Sequence, residues 1–213
     1  MSAHKEFDLN IDSILENWNV EHAIRELIAN AIDEQILTQS QEIEIKKEGT
    51  EWIIKDFGRG LTENSFVLNE NVEKLNSDKV IGKFGVGLKD SLAIFYRHGI
   101  NFKIISKHGI FTISKCNKHG FNDIKTLHVI INENPTKNYV GTTYIFDNLP
   151  DSAMDLGKQF FLKYMNENLI DRTTYGDIYE RTHDRGTIYM NGIKIADEPD
   201  FMFSYNVTKI TKK

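Results

Sequence analysis

One cysteine, Cys116, cannot close an intramolecular disulfide, so the chain is not built on the cross-links of a small secreted domain and a reducing compartment is expected. Prolines number three in 213 residues, and no repeat or low-complexity tract is present, which leaves no visible interdomain linker. No apolar run approaches the roughly 20 residues of a membrane span, and Met1 to Asp12 lacks the apolar stretch of a secretory signal. The expectations are a cytoplasmic location and no membrane partner. Positive charge is not in excess either: the formal net charge is -5, so bulk attraction to nucleic acid or acidic lipid is excluded. Nucleic acid would be reached only through a local patch, additional domains or partners.

What the chain does have is enough apolar material, 40% of residues, to bury a real core. A single domain over 1–213 is expected, with its motifs in 11–149 and a C-terminal helix and hairpin in 151–213. Whether the chain is complete or the N-terminal part of a longer protein stays open.

Ile24, Leu27, Ile28 and Ala31 recur at helical spacing, predicting an amphipathic helix from about Ile11 to Leu37, broken near Asn17 to Asn19. Glu42 to Ile45 and Trp52 to Lys55 read as strands joined by a Glu48-Gly49-Thr50 turn. Thr62 to Asp78 reads as a mobile loop with some helix, and Leu88 to Arg97 as a helix stopped at Gly99. Phe102 to Ser106, Ile110 to Ser114, Thr126 to Ile131 and Thr142 to Phe146 are successive strand candidates of a largely antiparallel sheet. Asp151 to Asn168 reads as a second helix capped by Asp151 or Ser152, and Asn191-Gly192 as a tight hairpin turn. Helices on one face of such a sheet make an α+β two-layer sandwich.

On the first helix, Glu26, Asn30 and Asp33 fall within roughly 60° of one another, opposite the apolar stripe. Alone, that pattern more often describes a solvated face. Its chemistry suits a general base beside an oxygen ligand for a hard cation, with Glu26 in the first role and Asn30 in the second. Two glycine loops follow. Asp56-Phe57-Gly58-Arg59-Gly60 ends a strand, and its glycines let a ligand approach the main chain while Asp56 accepts a hydrogen bond from an exocyclic amine. Ile81-Gly82-Lys83-Phe84-Gly85-Val86-Gly87-Leu88-Lys89 runs into a helix, where successive N–H groups and the helix terminus form an anion site. Lys83, Phe84, Gly85, Val86, Gly87 and Lys89 are its candidate contacts. It is neither a Walker A loop nor the dinucleotide fingerprint.

In this order the segments resemble the nucleotide site of the GHKL superfamily of gyrase-type topoisomerases, heat-shock chaperone ATPases, histidine kinases and mismatch-repair ATPases. Arg25 to Asp33 resembles its N box, Asp56 to Gly60 its adenine loop, Gly82 to Gly87 its lid and phosphate loop, and Gly141-Thr142-Thr143 its late Gly-Thr element. The resemblance implies a Bergerat-type ATP-binding fold with ATP and Mg²⁺ as ligands. It implies Glu26 as general base, Asn30 as Mg²⁺ ligand, Asp56 as acceptor from adenine N6, and Thr142 as its water-sharing neighbour. Gly58 and Gly60 would shape the base pocket, Gly85 and Gly87 would approach the phosphates, and Asp33 would contact the nucleotide or support the loop. Asn64 to Lys83 corresponds to the ATP lid.

A glutamate opening the N box matches the hydrolytic branches, whereas histidine kinases typically carry asparagine there. The expectation is slow, Mg²⁺-dependent ATP hydrolysis coupled to lid closure and a nucleotide-dependent homodimer. The alternatives are a non-hydrolysing ATP sensor and, third, phosphotransfer. His22 is expected at the pocket rim rather than as a phosphoacceptor. Lysine soon after the last glycine is closer to the microrchidia-type ATPases than to gyrase, and DNA-related or defence roles would follow by that analogy alone.

Overall fold

Side chains along the Ile-, Phe- and Val-rich runs alternate between core and exterior, and that alternation pairs the runs into one antiparallel sheet. The computed structural model describes residues 5–9, 18–66, 80–81, 87–118, 121, 123–182 and 184–209. Its first sheet contains β1 (Lys5–Asp8), β2 (Glu44–Glu48), β3 (Glu51–Lys55), β4 (Asn101–Ser106), β5 (Gly109–Asn117), β6 (Lys125–Asn132) and β7 (Thr142–Asp147). The spatial order is β1-β6-β5-β4-β7-β3-β2, so β7 lies between β4 and β3 although it follows both in the chain.

Three α-helices are described: α1 (Val20–Thr38), α2 (Gly87–Arg97) and α3 (Asp151–Lys158). The predicted start of the first helix, residues 11–17, lies outside the described residues, and α1 begins after Asn19, whose N–H donates to His22 Nδ1 at 3.2 Å. That contact, and the stacking of the His22 ring against Trp18 at 6.0 Å, gives His22 a capping and packing role. Helix α2 stops at Gly99, whose φ of +67° is open to glycine without strain. Ile24, Leu27, Ile28 and Ala31 are fully buried, packed with Leu92 and Phe95 of α2 and with the sheet. Phe95, Phe102 and Phe146 meet at centroid separations of 5.0 to 5.2 Å and tie α2 to β4 and β7.

Two sequence expectations change beyond Pro150. The helix predicted over Asp151 to Asn168 ends at Lys158, and its N-cap is Pro150 rather than Asp151 or Ser152. The Asp151 carboxylate is instead held by Lys47 Nζ at 2.6 Å and Trp52 Nε1 at 2.8 Å. The helix stops because Phe160-Phe161 is drawn into strand-like pairing: Phe161 bridges Ile193, Leu162 N donates to Gly192 O, and Lys194 N donates to Phe160 O. The segment expected to be a helix and hairpin also contains a five-stranded sheet. Its strands are β8 (Leu169–Arg172), β9 (Gly176–Glu180), β10 (Gly186–Met190), β11 (Ile193–Glu198) and β12 (Phe203–Val207), ordered β11-β10-β12-β9-β8. The Asn191-Gly192 hairpin is present, with φ of 49° and 80° as a two-residue turn of mirror-image type requires.

Candidate functional site

Helix α1 packs against the sheet, α2 and α3, and its polar stripe is buried at Asp33 and half-buried at Glu26 and Asn30. Asp33 is fully buried and accepts a hydrogen bond from Ile81 N at 2.6 Å. It thereby supports the chain just before the glycine loop. Gly82, Lys83, Phe84, Gly85 and Val86 lie outside the described residues, as does most of the expected lid, residues 67–79.

Glu26 sits two turns earlier on α1. Its Oε1 accepts from Arg25 Nε at 3.0 Å and Nη2 at 2.6 Å. The Arg25 guanidinium is itself held between the Trp18 and Phe160 rings, 5.2 and 5.3 Å from their centroids. With Oε1 so engaged, Oε2 is the oxygen turned toward α2: a Cβ placed on Gly87 would lie 2.2 Å from it. The first residue of α2 is therefore glycine because the Glu26 carboxylate occupies the space a side chain would need. Its position at a helix N-terminus, where N–H groups lack intrahelical partners, puts a carboxylate beside a surface suited to anions. Asn30 follows one turn later, half-buried on the same stripe. Asp90 joins this neighbourhood from α2; burial, then the Glu26 charge, raises its carboxyl above the ordinary range. Lys89, expected near phosphate, is buried with its ammonium over the Phe7 ring at 5.8 Å, and burial lowers its pKa.

The second half of the site is an interlock of β3 and β7. Asp56 is 2% exposed; its Oδ1 accepts from Gly58 N at 2.9 Å and Thr142 N at 3.2 Å. Burial raises its carboxyl above the usual carboxylate range, and the bonds from Gly58 and Thr142 offset part of that rise. Thr142 Oγ1 accepts from Leu61 N at 3.0 Å, and Ser106 Oγ donates to Leu61 O at 2.6 Å, fixing the loop on both sides. Gly60 has φ +85°, and Gly141, at φ +73°, lies so close to the loop that a Cβ there would be 1.9 Å from Asp56 O. Below them Asn134 Nδ2 donates to Ser106 O at 2.7 Å, so this buried polar layer is internally bonded.

Sequence reasoning missed the clamp that joins these halves. Glu34 Oε1 accepts from Arg59 N at 2.8 Å and Arg59 Nε at 2.9 Å, while Oε2 accepts from Nη2 at 3.0 Å. A Cβ on Gly58 would lie 2.4 Å from Glu34 Cγ, so Gly58 lets the loop close onto α1. The available signal was Glu34 one turn beyond Asn30, with a cation lodged between the two loop glycines. Arg25 opens the segment that resembles the N box and Asp90 follows Lys89, yet the sequence alone signals a role for neither side chain. The structure thus gathers Glu26, Asn30 and Gly87 on one side, and Asp56, Gly58, Gly60 and Thr142 on the other, along a single helix.

Comparison with known proteins bears on this arrangement. Residues 18–144 match the family described as histidine kinase-, DNA gyrase B-, and HSP90-like ATPase, and residues 152–213 match the Mycoplasma pneumoniae MPN635 N-terminal domain. A protein of Mycoplasma pneumoniae described as uncharacterized is 39% identical over 212 residues, covering 97% of this chain and 85% of the relative. A second uncharacterized protein of that organism is 33% identical over 75 residues, 34% of this chain and 21% of the relative. Among the described residues no helix is long and apolar enough to cross a membrane.

Proposed function

Because the chain belongs to the histidine kinase-, DNA gyrase B- and HSP90-like ATPase family, whose domains bind ATP, we propose that it hydrolyses ATP with Mg²⁺ at the site between α1, α2 and the β3–β7 interlock. Asp56 accepts a hydrogen bond from the adenine amine, and Gly58, Gly60 and Thr142 shape the pocket around the base. Asn30 provides an oxygen for Mg²⁺, which when bound neutralises phosphate charge. Lys83, Phe84, Gly85, Val86 and Gly87 border the phosphates by resemblance. Glu26 takes a proton from water; the water oxygen bonds to the γ-phosphorus as the bond from that phosphorus to the β–γ bridging oxygen breaks, releasing ADP and phosphate. Arg25 orients Glu26 by holding Oε1.

The observation that carries the step from binding to hydrolysis is the approach of Glu26 Oε2 to Gly87 at the N-terminus of α2. A carboxylate there faces the end of the anion-binding helix rather than open solvent. Closure of the Asn64–Lys83 lid over the nucleotide and transient pairing of two copies complete the reading.

The test is Glu26→Gln. Phosphate release is expected to fall by about 100-fold or more, within the range a general base contributes, while a non-hydrolysable analogue binds as before. Wild-type turnover in the variant would remove Glu26 as the base. Analogue binding without measurable wild-type turnover would leave an ATP sensor in place of an enzyme.

A further inference from the structure

On the sheet face turned away from α1 and α2, three neighbouring strands bring unlike side chains to one point. The register opposes Asp8 of β1 to His128 of β6, His128 to Ser114 of β5, and Thr126 of β6 to Cys116 of β5. Opposed residues share a face, and so do residues two apart on a strand, so Glu6, Asp8, Thr126, His128 and Cys116 all project to the same side. Phe7, Leu127, Val129 and Ile113 project to the other side, into the core.

The Glu6 carboxylate, the Cys116 sulfur and a His128 ring nitrogen lie within 4.8 Å of one another. His128 is 5% exposed, and its Nδ1 is buried without a hydrogen-bond partner among the described residues, with Glu6 Oε2 at 3.9 Å. A buried ring nitrogen left unsatisfied costs free energy unless something not yet in place completes it. The other ring nitrogen is engaged: Nε2 lies 3.1 Å from Thr126 Oγ1, with Asp8 Oδ2 at 3.9 Å beyond. Placing the ring proton on Nε2, as a donor to Thr126, leaves the Nδ1 lone pair unprotonated beside the Glu6 carboxylate. A metal-ligating histidine is typically held this way through its other nitrogen.

We propose that Glu6, Cys116 and His128 form a binding site for a borderline-soft divalent cation, zinc foremost, that fastens β1 to β6 and β5. Thiolate, imidazole and carboxylate together match zinc and fit poorly the all-oxygen preference of magnesium or calcium. Tetrahedral zinc with these ligands sets donor atoms about 3.3 to 3.6 Å apart, so side-chain rotation closes the observed spacing. Water takes the fourth position. Strand β1 has four residues and lies at a sheet edge, and a metal bridging it to the next two strands would replace interactions that so short a strand cannot make. The site is separate from Asp56 and Glu26, which serve the nucleotide from other strands and the helix side.

The test uses the full chain without a histidine tag, stripped with chelator and titrated with Co²⁺. One equivalent is expected to bind, with thiolate-to-cobalt charge-transfer absorption and the visible bands of tetrahedral cobalt, both displaced by Zn²⁺. Cys116→Ser at its half-buried position should abolish the charge-transfer band, and Glu6→Gln or His128→Gln should weaken binding at least about tenfold. Asp56→Asn should leave the titration unchanged, which separates this site from the nucleotide reading. Zn²⁺ should raise the melting temperature of the wild type and not of Cys116→Ser. No thiolate band at one equivalent, or a band that survives Cys116→Ser, overturns the proposal, including the outcome in which a proton alone completes Nδ1.

Discussion

Replacing Asp56 by asparagine should separate the stability of the domain from its affinity for nucleotide. An asparagine keeps one oxygen to accept from Gly58 N and Thr142 N, which Asp56 Oδ1 does at 2.9 and 3.2 Å, but presents an NH₂ group where the carboxylate offered a second acceptor. An amine facing adenine N6 opposes donor to donor. Loss of a hydrogen bond to a charged group, about 1.5 to 3 kcal/mol, predicts analogue binding weaker by roughly ten- to a hundredfold. The fold should respond in the opposite sense. Burial lifts the Asp56 pKa above its ordinary 3.8, so the folded state binds this proton more tightly than the unfolded one. The resulting contribution is fully present below the unfolded pKa and is lost as pH rises through the folded value, at about 1.4 kcal/mol for each pH unit that separates the two. At neutral pH the wild type therefore carries a buried charge that Asp56→Asn lacks, and the variant should melt at the same or a higher temperature. Calorimetric titration with a non-hydrolysable ATP analogue and thermal melts from about pH 4 to 8 measure both effects. Undiminished binding would refute the acceptor role. A variant whose melting temperature tracks the wild-type pH profile would refute the account of the buried charge.

Gly141→Ala places a Cβ at a left-handed backbone position and against Asp56 O, so urea unfolding should show a loss of about 2 to 4 kcal/mol together with analogue binding; a loss under about 0.5 kcal/mol would contradict the interlock. Gly87→Ala meets only the flexible end of Glu26, so the fold should survive and the carboxylate should swing aside. Phosphate release at saturating ATP should then fall about tenfold or more, beyond any loss of analogue affinity, and unchanged turnover would show that the position of Oε2 near Gly87 does not matter.

The site was legible in sequence wherever chemistry and backbone permission coincided. Asp56 with Gly58 and Gly60, and Glu26 with Asn30, stood out as candidates through their order along the chain, since each pattern alone also fits an ordinary turn or a solvated face. Arg59 and Glu34 did not, because a surface arginine and a helical glutamate are common and only the folded loop brings them together. The strands β4 to β7 were readable from their Ile, Phe and Val content, whereas β8 is exposed along its length, β9 is mostly half-buried, and both carry little apolar alternation. The predicted long C-terminal helix failed for a tertiary reason: Phe160 and Phe161 serve the β10–β11 hairpin, and that pairing outweighs the helical spacing that precedes them.

The place of β7 between β3 and β4 also sets an order of events during synthesis. Asp56 emerges 86 residues before Thr142, and the two strands that flank β7 have no partner in common until it arrives. A nascent chain can fold the β2–β3 hairpin early, but the pocket proposed for adenine closes only when the last strand of this sheet slots in between β4 and β3. Nucleotide capture by a growing chain would therefore mark the moment the sheet becomes whole.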